Sequence, residues 1–207
     1  MSQEFYHPEV TERSWKLLQR LRGEFPFTLI GGWASWCYTQ GPKSRDIDVI
    51  VDYPTLGTLR AQYGLVKNDR LRKYEVPFDG FDLDIYVEHY STTLAVPPER
   101  LLTLTTSVQG FTVPPVEALV ALKLGAWIDR RTSIHGEKDL ADIRGLLPLV
   151  DRNRWAALPQ DYGLSPTQVA RLRQAWTALA PLMPRRVREQ VGLPDPRRSR
   201  SPGGPRL

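Results

Sequence analysis

Two stretches of the chain alternate between apolar and mostly acidic residues, and no other feature restricts its folding as much. In Arg45-Asp-Ile-Asp-Val-Ile-Val-Asp52, Ile47, Val49 and Val51 fall on one face and Asp46, Asp48, Ile50 and Asp52 on the other. Further on, Phe81, Leu83, Ile85 and Val87 alternate with Asp82, Asp84, Tyr86 and Glu88. A period of two belongs to a half-buried strand, so two strands are predicted, each with an apolar face and an acidic one. Aspartate is disfavoured in strands, and stacked aspartate pairs with no intervening lysine repel one another unless a cation lies between them. Carboxylates at i and i+2 of a strand project to one side with Cα atoms about 6.5 to 7 Å apart, close enough to share a pair of ions. Oxygen-only ligands of this kind suit Mg²⁺. Asp84 or Asp82 is the candidate for a third carboxylate. The plainer alternative is that these aspartates only solvate an exposed sheet face, and their appearance on two strands weighs against it.

The remaining pattern divides the chain. Residues 8–23 are amphipathic and open at Pro8, which predicts a helix. Phe27 to Ile30 is a short apolar strand stopped by Gly31-Gly32, with a helix expected over Trp33 to Gln40 and ended by Gly41-Pro42. Arg70 to Val76 is a further predicted strand. From Pro114 onward the period becomes helical: Val116, Leu119, Val120, Leu122, Leu124 and Trp127 mark one helix and Lys138 to Leu149 a second. Trp155 to Leu158 and Pro166 to Leu179 continue it. Strands first and helices after predict an α+β fold. The N–H groups that start the helix after Gly31-Gly32 form an anion site suited to phosphate, and glycine lets a triphosphate come close.

The net charge of +5 is located at one end of the chain. Residues 185–207 hold seven arginines against Glu189 and Asp195, which accounts for the whole excess and leaves the first 184 residues neutral. From Gly192 the sequence is rich in Pro, Arg, Ser and Gly, the composition of a disordered end. A single cysteine, Cys37, and three scattered histidines, His7, His89 and His135, exclude an internal disulfide and a Cys/His zinc cluster. The cysteine usage suits a reducing cytoplasm, and the N-terminal sequence has no signal-peptide pattern. The longest apolar stretch, Val116 to Ile128, is 13 residues and contains Glu117 and Lys123, short of the ~20 that cross a bilayer. No membrane partner is expected.

Taken together, Ile30-Gly31-Gly32, Asp46-Ile47-Asp48-Val49 after 13 intervening residues, and Leu83-Asp84-Ile85-Tyr86-Val87 resemble the nucleotidyltransferase superfamily that shares the DNA polymerase beta palm. A second block strengthens the resemblance. Leu122-Lys123-Leu124-Gly125-Ala126, Arg130-Arg131 and Lys138-Asp139-Leu140-Ala141-Asp142-Ile143 are similar to the helix motifs of AbiEii-type nucleotidyltransferases, the toxin components of type IV abortive-infection systems. The resemblance spans residues 30–143. It implies a small mixed-sheet palm over residues 1–113, a helical lobe over 114–192 and a disordered basic tail over 193–207, with the nucleotide between palm and lobe.

By that resemblance Asp46, Asp48 and Asp84 hold Mg²⁺, with Mn²⁺ as a substitute. Gly31 and Gly32 contact the terminal phosphates, Lys123 contacts the triphosphate, and Asp139 orients Lys123 or the ribose. Lys43 and Arg45, beside the acidic strand, are candidates to bind phosphate or to balance Asp46. Arg130-Arg131 either anchors an acidic substrate or complements a helix end. Two departures stand out: Trp33 follows the glycines where many relatives carry a small residue, and Gly-Gly replaces Gly-Ser. The implied reaction is transfer of NMP from an NTP to an acceptor hydroxyl with release of pyrophosphate. The toxin-like relatives imply RNA, in particular a tRNA 3′ end, as acceptor, and a cognate antitoxin as partner. The alternatives are a small-molecule or protein hydroxyl, or a non-catalytic module that binds nucleotide or a partner without turnover.

Overall fold

The computed structural model describes residues 5–195. Pro8 lies in the first turn of α1 (Pro8–Glu24), where its missing N–H leaves no helical bond unmade, and Leu17, Leu18 and Leu21 are buried from it. β1 (Thr28–Ile30) runs without a loop into α2 (Gly31–Thr39), so the helix starts at the glycines rather than at Trp33. β2 (Ile47–Val51) follows, and Asp52 ends it by capping α3 (Tyr53–Gln62), its carboxylate accepting from the Thr55 N–H at 2.8 Å. That bond holds the Asp52 carboxyl below its ordinary pKa. Asp52 is therefore a cap and no part of the acidic face. Ile50, also expected on that face, is buried where α4 (Pro98–Thr103) packs against β2.

β3 (Val66–Asn68), β4 (Lys73–Phe78) and β5 (Phe81–Val87) complete a five-stranded sheet in the order β1-β2-β5-β4-β3. Only the β2/β5 pair is parallel, so the sheet is mixed and the fold is α+β, as expected. β5 follows its sequence pattern without exception, burying Phe81, Leu83, Ile85 and Val87. A separate hairpin, β6 (Thr106–Val108) and β7 (Phe111–Val113), turns at Gln109-Gly110, both with positive φ.

The helical half comprises α5 (Val116–Arg130), α6 (Ile134–Leu146), α7 (Arg152–Asp161), α8 (Pro166–Leu179) and α9 (Arg185–Val191). α2 touches β1, β2, α5 and α6, and so ties the sheet to the helices. Within the stretch expected to be a disordered end, Gly192 caps α9 with φ 75° and Leu193 is buried. Residues 196–207 of that stretch lie outside the described residues. Among the described residues no helix is long and apolar enough to cross a membrane.

Trp33, the residue that departs from the small side chain of many relatives, points into the α1/α2 interface. Its ring centroid is 4.9 Å from that of Trp15, and its indole Nε1 donates to the buried Ser14 hydroxyl at 2.8 Å. Cys37 and Trp36 also pack in this region, Cys37 fully buried and Trp36 with its ring 4.8 Å from Trp15. Trp33→Ala is expected to cost about 3 to 5 kcal/mol by opening a cavity. Trp33→Phe, which strands the Ser14 hydroxyl, is expected to cost about 1 to 3 kcal/mol. Urea unfolding of both variants measures the difference.

Candidate active site

Between the sheet and the α5/α6 pair lies a cleft of ≈ 340 Å³. The parallel pairing of β2 with β5 sets its floor, because it puts Asp48 directly opposite Asp84. Burial raises both carboxyl pKa values, each further raised by a neighbouring carboxylate, with Asp84 reaching about 7. Asp84 Oδ2 accepts from the Lys73 ammonium at 2.6 Å. Asp84 Oδ1 is the one buried side-chain polar atom without a hydrogen-bond partner among the described residues.

Asp46 lines the same cleft just before β2, but its carboxylate is engaged. Arg45 grips it from Nε at 3.0 Å and Nη2 at 3.0 Å, and the Asp82 backbone N–H donates to its Oδ1 at 3.1 Å. Of the two candidates on β5, Asp84 lines the cleft and Asp82 does not.

The glycines close the cleft at the start of α2. Gly31 has φ 67°, a backbone conformation that favours glycine, and a Cβ on it would overlap Asp48 Oδ2. A Cβ on Gly32 would overlap Ser44 Oγ and stand 3.1 Å from Lys138 Nζ. The bare helix start thus leaves room for the Asp48 carboxylate on one side and for a hydroxyl and an ammonium on the other. No side chain caps α2 and its first turn holds no acid, so its N–H groups face a site built for negative charge.

The opposite wall is a buried ionic network carried by α5 and α6. Lys123 Nζ lies 2.7 Å from Asp142 Oδ2 and 3.2 Å from Asp139 Oδ1. Arg130 Nε donates to Asp139 Oδ2 at 2.8 Å, and Lys138 Nζ to Asp142 Oδ1 at 2.6 Å. Burial disfavours the charged form of Lys123, but Asp142 and Asp139 outweigh it and hold the ammonium above its ordinary pKa. Burial wins at Lys138 and brings it down to about 8 despite Asp142. Asp139 is desolvated too, yet Lys123 and Arg130 keep its carboxyl below the usual range. Three cations against two carboxylates leave one positive charge facing the cleft, so an anion is favoured there.

Asp46, Asp48, Asp84, Gly31, Gly32, Lys123 and Asp139 all line this cleft, drawn from segments up to the length of the predicted motif apart. Lys43 and Arg45 do not line it; Arg45 is taken up by Asp46 and stacks 5.5 Å from the Tyr6 ring. Ser44, Lys73 and Lys138 line the cleft and Glu75 and Asp142 support it, without a role in the sequence reading. Lys138 and Asp142, four apart on one helix, form an i,i+4 pair legible from spacing alone. The signal that could have found Lys73 is the Asp79-Gly80 turn, which pairs its strand with that of Asp84.

The carboxylates of Asp48 and Asp84 fit a divalent cation: both are acceptor-only oxygen ligands, they repel one another, and Asp84 Oδ1 has no partner. As they stand among the described residues, no three His, Cys, Asp or Glu side chains form a group that could hold a metal ion. Asp46 is paired with Arg45, and Asp84 with Lys73.

No protein-family model and no curated protein sequence matches the chain. Among solved structures, an antigenic nucleotidyltransferase-like protein from Paracoccidioides brasiliensis is 18% identical, with 84% of this chain and 91% of that chain covered at a TM-score of 0.45. JHP933 from Helicobacter pylori is 16% identical, with 89% of this chain and 80% of that chain covered at a TM-score of 0.43. At these identities and scores, the chemistry rests on the residues of the cleft itself.

Removing Asp142 strands the buried Lys138 ammonium and leaves Lys123 with Asp139 alone. Asp142→Ala is expected to destabilise the fold by about 3 to 5 kcal/mol. Asp79→Ala, which breaks the exposed Arg13–Asp79 pair at 2.7 Å, is expected to cost under about 1 kcal/mol. Denaturant midpoints of the two variants check the contrast.

Proposed function

We propose that the protein is a nucleotidyltransferase that moves NMP from an NTP to an acceptor hydroxyl and releases pyrophosphate. The observation that carries this reading is the pairing of Asp48 with Asp84 across β2/β5, one oxygen of which lacks a partner, beside the Gly31-Gly32 helix start and the net-positive Lys123, Lys138 and Arg130 group. Acidic floor and basic wall in one cleft suit a substrate that brings its own triphosphate and needs a cation.

Asp48 and Asp84 would hold Mg²⁺, or Mn²⁺ in its place, with Asp46 as third ligand once its pair with Arg45 opens. When bound, the ion would neutralise charge on the phosphates and lower the pKa of the attacking hydroxyl. The remaining work falls to the protein's own groups. The N–H groups of the α2 start receive the terminal phosphates, and the Ser44 hydroxyl can join them only by turning away from the Asp46 carbonyl to which it donates. Lys123 supplies positive charge to the triphosphate, and Asp139 fixes its ammonium. Lys138, held by Asp142 and aimed at Gly32, faces the same phosphates. Phosphoryl transfer needs little beyond such positioning and charge neutralisation.

For the acceptor we propose RNA, with a tRNA 3′ end as the specific case, on three grounds. The arginine excess lies at one end of the chain, Arg130 is about half exposed at the cleft, and the second motif block resembles that of toxin nucleotidyltransferases. A cytoplasmic toxin with a cognate antitoxin is the cellular setting this reading implies.

Incubation with each labelled NTP, Mg²⁺ or Mn²⁺ and total cellular RNA, followed by separation of RNA, protein and small molecules, tests both parts. Label in RNA is expected; label only in protein or small molecules would move the acceptor, and none in any fraction would sink the reading. Asp48→Asn is expected to lower incorporation by about 10²- to 10³-fold, equivalent to roughly 3 to 4 kcal/mol, with an unchanged circular dichroism spectrum. For the basic end, Val191 and Leu193 are buried, so truncation belongs after Asp195. Deleting residues 196–207 removes four of the seven arginines. That deletion is expected to weaken RNA binding and flatten the log–log salt slope by up to about 3. An unaltered slope would remove the tail from the RNA-binding surface.

A further inference from the structure

A second cavity, of ≈ 450 Å³, lies between α4, the start of α5 and α7, and shares no lining residue with the cleft. Its size is that of a small-molecule site. Two of its polar side chains are more than nine-tenths buried. Glu117, in the first turn of α5, is 4% exposed, and Tyr162, directly after α7, is 6% exposed.

Glu117 Oε1 accepts from the Asp151 N–H at 2.9 Å and so ties α5 to the start of α7. Among the described residues Glu117 forms no ion pair, and neither its other oxygen nor the Tyr162 hydroxyl makes a hydrogen bond. Neither atom is sealed off, since Asp84 Oδ1 is the one fully buried side-chain polar atom left unpartnered there. Both open into the cavity they line. Burial and the neighbouring Glu117 raise the Tyr162 pKa to about 12, so its hydroxyl stays protonated. A carboxylate taken out of water without a counter-charge is costly, so this floor favours a cation.

The mouth of the cavity has the opposite character. Arg100 and Arg154 line it and are exposed. Arg100 Nη2 donates to the Asp161 carbonyl, and the Arg154 guanidinium makes no hydrogen bond or ion pair among the described residues. Leu104, Pro115 and Leu158 add apolar surface, and Asp161 a second carboxylate.

We propose that this cavity binds a basic amino acid, with its cationic head on Glu117 and Tyr162 and its α-carboxylate on Arg154 and Arg100. The apolar residues suit the methylene stem, and Asp161 the α-ammonium. A guanine nucleotide also joins N–H donors to an anion, but its neutral head leaves the Glu117 charge unpaired. The site goes beyond the nucleotidyl-transfer reading and does not depend on it.

Calorimetric titration of the full chain with L-arginine, L-lysine, agmatine and GMP tests the proposal, on wild type, Glu117→Gln, Tyr162→Phe and Asp48→Asn. Glutamine keeps an oxygen for the Asp151 N–H and removes the charge. Wild type is expected to bind L-arginine or L-lysine saturably, with one site per chain. Agmatine, which lacks the carboxylate, is expected to bind about tenfold or more weakly, and Glu117→Gln to lose about tenfold or more in affinity for the amino acid. Tyr162→Phe is expected to weaken binding and Asp48→Asn to leave it unchanged. Absence of saturable binding of both amino acids, agmatine equal to L-arginine, or full affinity in Glu117→Gln overturns the proposal. So does loss of binding in Asp48→Asn, which would put the ligand in the cleft, and so does GMP binding tighter than either amino acid. None of these results bears on nucleotide incorporation. If Glu117→Gln fails to fold, Tyr162→Phe decides, because the hydroxyl it removes makes no bond within the protein: weaker binding supports the site and unchanged binding overturns it.

Discussion

Asp48 and Asp84 are opposed on parallel strands about 4.8 Å apart. Two full charges at that separation repel by roughly 3 kcal/mol at an effective dielectric of about 20. That is a large fraction of the net stability of a domain this size, typically about 5 to 15 kcal/mol. The surroundings are arranged around that repulsion. Lys73 takes one oxygen of Asp84, and Gly31 gives up a side chain so that the Asp48 carboxylate has somewhere to stand. Arg45 draws Asp46 away from the pair. The sheet supplies the repulsion, and the elements packed on it supply the relief.

The network on α5 and α6 has a different logic. Lys123, Lys138, Asp139 and Asp142 are all nearly inaccessible to solvent. Buried ion pairs seldom add stability over apolar residues of the same volume, because desolvation offsets their attraction. What the network does give is fixed placement. Both ammonium groups are fastened to Asp142, and Asp139 bridges Lys123 to Arg130, so three cations keep their positions when no anion is present. On the proposed function, a triphosphate would meet cations that need no reorganisation.

Much of the local structure was legible in the sequence because it is set by local periodicity. β5 and α8 have the predicted bounds, Phe81–Val87 and Pro166–Leu179, since each has an uninterrupted pattern and clear ends. α3, α4, β3 and the β6/β7 hairpin were not anticipated; three of them are short, and the Tyr53–Gln62 helix carries little amphipathic pattern. Ile50 departs from the alternating pattern as a fully buried apolar residue on the otherwise acidic face of β2. Asp46, Asp48 and Asp84 were legible for the same reason as the strands, whereas Lys123 and Asp139 were singled out only by the resemblance of their motifs. Lys73 was not, and the expectation of aspartate pairs with no intervening lysine fails through it. Which residues meet across a sheet depends on strand order and register; the two-residue Asp79-Gly80 turn between Phe78 and Phe81 sets the β4/β5 register, a hairpin signal the sequence reading did not use.

The replacement of Gly-Ser by Gly-Gly also acquires a physical reason. A Cβ on residue 32 would stand 2.4 Å from Ser44 Oγ and 2.8 Å from Ser44 Cβ, so a side chain there requires Ser44 to move. Ser44 is itself buried and is held there by donating to the Asp46 carbonyl at 3.1 Å. A hydroxyl is therefore present at this corner of the cleft, carried by the loop into β2 rather than by the helix. The same loop carries Arg45 and Asp46, so the hydroxyl, the guanidinium and the first carboxylate are fixed relative to one another by three consecutive residues. Position 32 answers to that loop, because a side chain there would meet Ser44.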